Sequence, residues 1–238
     1  MHPLALASWT VILAALVAPA IAGAAQVNGS MRVLTDYVYR SYSLSSGGAA
    51  IQGQVSALFA PRWFAGLGAS SVAVGDATLE ITPYVGVNLF RNADWRISAT
   101  LAGYLYDGAL GGHAGHYAAP STTISYRDVA ALHLGVAVNE YGFDESACHI
   151  EGTVRYPLND VSQIDANLGH DGTRALAGAD YLYWNLGVTH YLSSHWALDL
   201  RYYGSRSTSD LPLNTQGHDF FDAMEIRDRV VFSASFGF

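Results

Sequence analysis

Residues Arg229–Phe238 read R-V-V-F-S-A-S-F-G-F, and this stretch decides the fold. Val230, Phe232, Ala234, Phe236 and Phe238 share one face; Val231, Ser233, Ser235 and Gly237 share the other. A period of two marks a strand, here apolar on one side and small or polar on the other. In a soluble protein an exposed aromatic strand is an aggregation edge. The same strand is stable when it closes a barrel and turns its apolar face to lipid. The expected fold is therefore an all-β transmembrane antiparallel up-and-down barrel whose last strand pairs with its first. In this pattern Phe232, Phe236 and Phe238 resemble the signal read by the outer-membrane barrel assembly machinery.

The beginning of the chain agrees. Val11–Ala25 is apolar and uncharged and ends in small residues, with Ala22-Gly23-Ala24 fitting an A-x-A cleavage pattern. The expected organisation is a cleaved secretory signal over 1–25 and a barrel over 26–238. The expected location is the bacterial outer membrane, reached by export through the periplasm. Residues 1–10 carry no Lys or Arg, a departure from the usual basic start of such signals.

Composition narrows the class. Half of the chain is hydrophobic and only 13% is charged, with 15 Tyr, 5 Trp and 24 Gly. An aromatic-rich, Gly-rich, charge-poor chain with no long apolar run after residue 25 suits a membrane barrel better than a helical membrane protein. The net charge of −8 argues against a nucleic-acid partner. Cys148 is the only cysteine, so no internal disulfide and no cysteine-based metal site is possible. All 12 basic residues are Arg, which holds its charge and pairs bidentately with carboxylates in a confined polar space.

Alternation recurs along the chain. Leu79, Ile81, Val85, Val87 and Leu89 oppose Thr78, Glu80, Thr82, Tyr84 and Asn88. Cys148, Ile150, Val154 and Tyr156 oppose His149, Glu151, Thr153 and Arg155. Trp196, Leu198, Leu200 and Tyr202 oppose Asp199, Arg201 and Tyr203. Short links at 60–61, 91–94, 158–161 and 193–194 alternate with longer ones at 43–49, 107–119, 170–179 and 204–226. Short periplasmic turns and long outer loops are the barrel rule. An even strand count requires one further strand between Pro120 and Pro157. It is placed at Ser121–Tyr126 with a turn at Arg127-Asp128, which gives 12 strands, with ten as the alternative. Trp95, Trp184 and Trp196 fall at girdle positions.

The ordered motifs also carry a resemblance. Thr35-Asp36-Tyr37-Val38-Tyr39-Arg40 is followed by Gly48-Ala49-Ala50-Ile51-Gln52-Gly53. Then come Phe64-Ala65-Gly66, Ser70-Ser71-Val72, Leu79-Glu80-Ile81, Tyr104-Leu105-Tyr106, Asp180-Tyr181 and Arg229-Val230-Val231-Phe232-Ser233. Taken in order, these resemble the TorF-type outer-membrane porin family of proteobacteria. Two positions depart from it: Ser41 stands where that family usually has Gly, and Asp107 where it often has Pro. The resemblance implies an outer-membrane barrel with a porin role and supplies no catalytic residues.

The polar faces would line a lumen holding Arg32, Arg40, Arg96, Arg155 and Arg201 beside Asp36, Glu80, Glu151, Asp165 and Asp199, with Tyr104, Tyr106 and His149. Asp36 and Arg40, four apart, are expected on one strand face. The functional expectation is a narrow porin-like channel for passive diffusion of ions or small polar solutes. The alternative is a closed structural or surface-binding barrel in which the same charges pair across the lumen. Asp76, Asp107, Asp144, Glu145, Asp171, Asp180, Asp210, Asp219, Asp222 and Glu225 make the outer loops acidic, which favours a mild cation preference. The loop histidines His113, His116, His170 and His218 show no metal-ligand spacing, and no metal or other cofactor is expected. Ser194-His195 lies at a periplasmic turn and no G-x-S-x-G elbow occurs, so no catalytic residue and no enzymatic activity is expected. The expected partners are outer-membrane lipid and lipopolysaccharide, the assembly machinery, and small polar solutes or ions. Oligomeric state is left open.

Overall fold

A single closed ring of strands organises the molecule in the computed structural model, which describes residues 26–59, 61–208 and 228–238. The expected leader and most of the 204–226 segment, including Asp210, Asp219, Asp222 and Glu225, lie outside the described residues. Twelve antiparallel strands form the barrel: β1 (Gln26–Leu34), β4 (Ala50–Phe59), β5 (Trp63–Val74), β6 (Ala77–Arg91), β7 (Trp95–Tyr106), β10 (Tyr117–Tyr126), β11 (Ala130–Ala137), β12 (Ala147–Asn159), β13 (Ser162–Gly172), β14 (Tyr181–Tyr191), β15 (Trp196–Ser207) and β16 (Arg229–Gly237). Two small hairpins are not members of the ring: β2 (Val38–Tyr39) with β3 (Tyr42–Ser43), and β8 (Ala109–Leu110) with β9 (His113–Ala114).

The ring closes between β1 and β16, in register from Ser30 opposite Gly237 to Leu34 opposite Ser233. The strand inferred at Ser121–Tyr126 is present as the C-terminal part of β10, turning through residues 127–129 into β11. β10 begins at Tyr117, so it absorbs the end of the segment expected as loop. β13 likewise extends to Gly172 and β15 to Ser207.

Burial is inverted relative to a soluble barrel. Leu168 (60% exposed), Val154, Leu186, Leu200 and Val230 point outward, whereas Arg201, Asp165 and Asp199 point inward and are nearly buried. Such an outward apolar band with a polar interior is what lipid demands. At the short-turn end, Trp95 packs on Tyr126 (ring centroids 4.8 Å) and Trp196 on Phe236 (5.0 Å), a partial aromatic girdle. Phe232 and Phe236 lie in the outward row of β16, and the Phe238 ring sits over Gly29, where a side chain would collide with it. Cys148 is exposed on the outward face, as its register predicts.

Five links are short, at 60–62, 92–94, 127–129, 160–161 and 192–195. Among the described residues the other end carries the long segments 35–49, 107–116, 138–146 and 173–180, and one tight turn, at 75–76. By the barrel rule the long end is the outer one. A charge placed at mid-barrel on the outward face tests this architecture. Leu168→Arg is expected to cost ~2–4 kcal/mol of folding free energy in lipid, measured by urea titration of the heat-modifiable band. In a soluble barrel the same exposed position would tolerate Arg with almost no change.

Candidate functional site: the barrel lumen

The interior divides into an outer plug, a paired charge network and an open cavity. The plug is segment 35–49, which leaves β1 and folds into the barrel instead of rising from it. Ser41, Tyr42, Ser43 and Leu44 are buried. Leu44 N–H donates to the Tyr37 carbonyl (2.7 Å), and its own carbonyl accepts from Ala73 N–H of β5 (2.7 Å). Tyr42 meets Tyr181 edge-on at 5.3 Å. Around them Leu110, Tyr117, Tyr141 and Leu176, from strand ends and the other outer segments, complete one apolar core. Tyr104 stacks on Tyr117 at 4.5 Å beneath it. The outer third of the lumen is thus packed like a protein interior.

At the plug's tip, Arg40 and Ser41 both have positive φ (46° and 70°), forming the two central residues of the β2–β3 hairpin. Two positive φ values in a two-residue link match the twist of a hairpin. Glycine adopts that backbone freely, and any other residue there is strained. Ser41 compensates through its hydroxyl, which donates to the Gly204 carbonyl (3.0 Å). This explains how Ser replaces the Gly of the resembled motif. At the other departure, the Asp107 carboxylate accepts from Thr78 N–H (2.8 Å), Leu79 N–H (2.9 Å) and the Thr78 hydroxyl (2.7 Å), tying the loop back to β6.

The expectation that Asp36 and Arg40 share a strand face is overturned. β1 ends at Leu34, and the two residues part within the plug. Asp36 accepts from the Ser43 and Ser45 hydroxyls (2.6 and 2.9 Å) and pairs with Arg229 of β16. Arg40 crosses the barrel to Asp171 (3.4 Å) and donates to His149 Nε2 (2.8 Å). His149 stacks on His133 at 5.2 Å. Asp171, expected as an outer-loop acid, is buried on the inner face of β13 and also accepts from the Tyr181 hydroxyl (3.0 Å). His170, expected in a loop, lies beside it in β13.

A second network joins β13, β14 and β15 deeper in the lumen. Arg201 grips Asp165 with two nitrogens (2.6 and 2.9 Å), reaches Asp199 at 3.1 Å and donates to Asn185 Oδ1 (2.6 Å). Bidentate Arg–carboxylate pairing is the strong form of this contact. Glu80 of β6 accepts from the Tyr106 hydroxyl (2.6 Å) and the Tyr37 hydroxyl (3.0 Å). Glu151 of β12 lies on the inner face opposite His133. Arg96 and Arg155 have interior register but are exposed at the short-turn rim, where Arg155 reaches the Asp128 carbonyl (3.5 Å). Of the five arginines and five acids expected along the lumen, Arg40, Arg201, Asp36, Asp165 and Asp199 are thus engaged in discrete ion pairs. Arg229 and Asp171 join them, both legible from the period of two along their strands.

On the opposite wall a cavity of about 470 Å³ lies beneath the plug. Arg32, Gln52, Ser70 and Glu80 occupy successive register positions across β1, β4, β5 and β6 along it. Tyr37 and Tyr39 of the plug, with Tyr84 and Tyr104, complete the lining. Tyr84 lies over Gly66, where any side chain would collide with its hydroxyl. Among the described residues no group of His, Cys, Asp and Glu is placed to hold a metal ion.

A family model described as "Bacterial protein of unknown function (Gcw_chp)" matches residues 19–236. The chain belongs to this family. No curated protein matches it in sequence. The Gcw_chp chain is similar in structure to a KdgM porin, with a TM-score of 0.55 and 10% identity, covering 89% of this chain and 99% of that one. Its likeness to a NanC porin is comparable, with a TM-score of 0.56 and 9% identity over 90% and 99% of the two chains. A KdgM porin in complex with disordered oligogalacturonate superposes with a TM-score of 0.54 and 8% identity, covering 89% of this chain and 97% of that one. At this identity the likeness is one of fold: the twelve-stranded barrel is shared.

Two outcomes check the interior. Arg201→Leu leaves Asp165 and Asp199 buried without their cation and is expected to cost about 3–5 kcal/mol, whereas Arg96→Leu at the exposed rim is expected to change stability by less than about 1 kcal/mol. Both are read by urea unfolding in lipid vesicles. Glu140, in the 138–146 segment, is buried in the outer core. Burial pushes its carboxyl up from the ordinary 4.5 to about 8, reinforced by the Asp171 charge and opposed by Arg40. Because the folded value is raised, the contribution to stability is present at acid pH and is lost as pH climbs through about 8. Glu140→Gln is expected to raise the temperature of heat modification at pH 9 and to leave it nearly unchanged at pH 4.

Proposed function

We propose that this protein is a porin-like channel of the bacterial outer membrane for small polar solutes, held closed here by segment 35–49. The observation that carries this reading is the way the plug is attached. A permanent filling needs only apolar packing, but this segment is tethered at its base by Asp36–Arg229 and at its tip by Arg40–Asp171 and Arg40–His149. Ion pairs of this kind have two discrete arrangements, made or exchanged for water, and suit a gate. The strained hairpin tip supports the same reading, since such strain concentrates at switch segments. The KdgM and NanC porins share the fold, and kinship with TorF-type porins, read from the ordered motifs, belongs to this proposal.

Other expectations enter here as parts of the same reading. Export with removal of residues 1–25, recognition of Phe232, Phe236 and Phe238 by the assembly machinery, and contact with lipopolysaccharide at the outer rim are proposed. The rim acids Asp76, Asp107, Asp144 and Glu145 are exposed and favour cations at the mouth once it is open. The role is non-enzymatic. A second reading, a permanently closed barrel with structural charges, is favoured by the extent of the outer apolar core.

Planar-bilayer recording separates the two. The refolded wild type is expected to show rare discrete conductance steps. The double variant Asp36→Asn/Arg40→Ala is expected to raise open probability at least tenfold while keeping its heat-modifiable fold. Folded proteins that are silent in both forms would establish the closed barrel and overturn the channel.

A further inference from the structure

Among the described residues, Arg32 is the lumen arginine that is neither ion-paired nor, like Arg96 and Arg155, exposed at the short-turn rim. Arg40, Arg201 and Arg229 each hold a carboxylate. Arg32, half-buried on the inner face of β1, has no ion-pair or hydrogen-bond partner among the described residues, and it lines the 470 Å³ cavity beneath the plug. A guanidinium at a confined wall with no carboxylate is an anion site in waiting, because its planar donor fork matches a carboxylate. Among the described residues the one acid lining the cavity, Glu80, has both oxygens engaged by Tyr106 and Tyr37.

The surrounding surface says what accompanies the anion. On the wall around Arg32, Ser30, Gln54, Thr82 and Ser235 are hydroxyl or amide side chains that both donate and accept. Gln54 is exposed although its register faces the interior, so the cavity is wet. Across it stand the tyrosines of the plug and of β6 and β7, an amphipathic face suited to carbon-bound hydrogens and hydroxyls alike. The volume is within the ~300–1,000 Å³ range of small-molecule sites. Toward the short-turn end, inward residues such as Ser98, Thr100 and Thr123 are half-exposed, whereas the outer end is packed shut. The cavity is therefore reached from the short-turn side, away from the acidic outer rim.

We propose that this cavity is a binding site for a small hydroxylated monocarboxylate entering from the periplasmic end, with Arg32 as the carboxylate anchor. It is a site of the closed state, since Tyr37 and Tyr39 belong to the plug. It holds whether or not the barrel conducts. Occupancy stabilises the plugged barrel by mass action.

Isothermal titration of the refolded full-length barrel with gluconate, sorbitol and acetate tests the site without reference to conductance. Folding of each sample is established by heat modification. Gluconate is expected to bind at least tenfold more tightly than sorbitol or acetate and to raise the heat-modification temperature. Arg32→Gln is expected to abolish the advantage over sorbitol. Gln54→Glu, a conservative change at an exposed position that sets a like charge in the cavity, is expected to weaken gluconate at least tenfold. Sorbitol or acetate binding as tightly as gluconate, affinity unchanged in both variants, or no binding of gluconate to a folded barrel would each overturn the proposal. A silent bilayer with intact gluconate binding would overturn the channel alone.

Discussion

Closure of the backbone ladder is the constraint on which everything else rests. In lipid every backbone N–H and C=O needs a partner inside the protein, and an open sheet leaves two edges without one. Here the edges of β1 and β16 satisfy each other between Ser30–Leu34 and Ser233–Gly237. The lower end of the seam is finished by Gly29 and Phe238, which exchange N–H···O bonds at 3.0 Å each. Once the ring is closed, each strand has one lipid face and one interior face, and the period of two assigns every side chain. The inversion of burial, with Leu168 outside and Arg201 inside, follows from this topology.

The interior then faces an electrostatic problem of its own. Charges confined away from bulk water must pair or be hydrated. Arg201 solves it locally, across neighbouring strands, with Asp165, Asp199 and Asn185. Arg40 and Asp36 solve it over long chain separations, and in doing so they fix the plug. The polar attachments and the apolar core around Tyr42 and Leu44 act at the same place but differ in character. The core packs the segment without directional contacts, while the ion pairs fix its register against β13 and β16.

Strand number, strand faces and the split between short and long links were legible because each rests on local periodicity. The strand at Ser121–Tyr126 was inferable from an even strand count taken together with the alternation of link lengths. The path of residues 35–49 was not. Alternation continues through Asp36-Tyr37-Val38-Tyr39-Arg40 as though β1 ran on, and only a tertiary fact, the space available inside the ring, folds that segment inward. The same limit explains the interior. Periodicity places Arg155 and Asp165 opposite each other, and register agrees. Yet Asp165 is held by Arg201, which lies one strand further along the same register row and reaches it over Gly187, where no side chain intervenes. Asp171 was misread as a loop acid because β13 was ended too early. Its spacing from Asp165 and Asn167 along one face carried the correct assignment.

The contact between Asp36 and Arg229 joins the seam to the plug. Arg229 opens β16, directly opposite Tyr203 of β15, and Asp36 lies two residues beyond the end of β1. The plug's base is therefore anchored across the two strands that close the barrel. Thr35 reinforces the same point: its N–H donates to the Phe232 carbonyl (3.0 Å), and its hydroxyl accepts from Phe232 N–H (3.1 Å). These base contacts are separate from those of the hairpin tip, where Arg40 pairs with Asp171. On its other side the segment is tied to β5, where the Leu44 carbonyl accepts from Ala73 N–H (2.7 Å) and the Ser46 hydroxyl donates to the Ala73 carbonyl (2.6 Å). The plug is thus fastened to both the closing seam and β5, above the wall that carries Arg32 and the cavity, while its tip reaches across the lumen to Asp171.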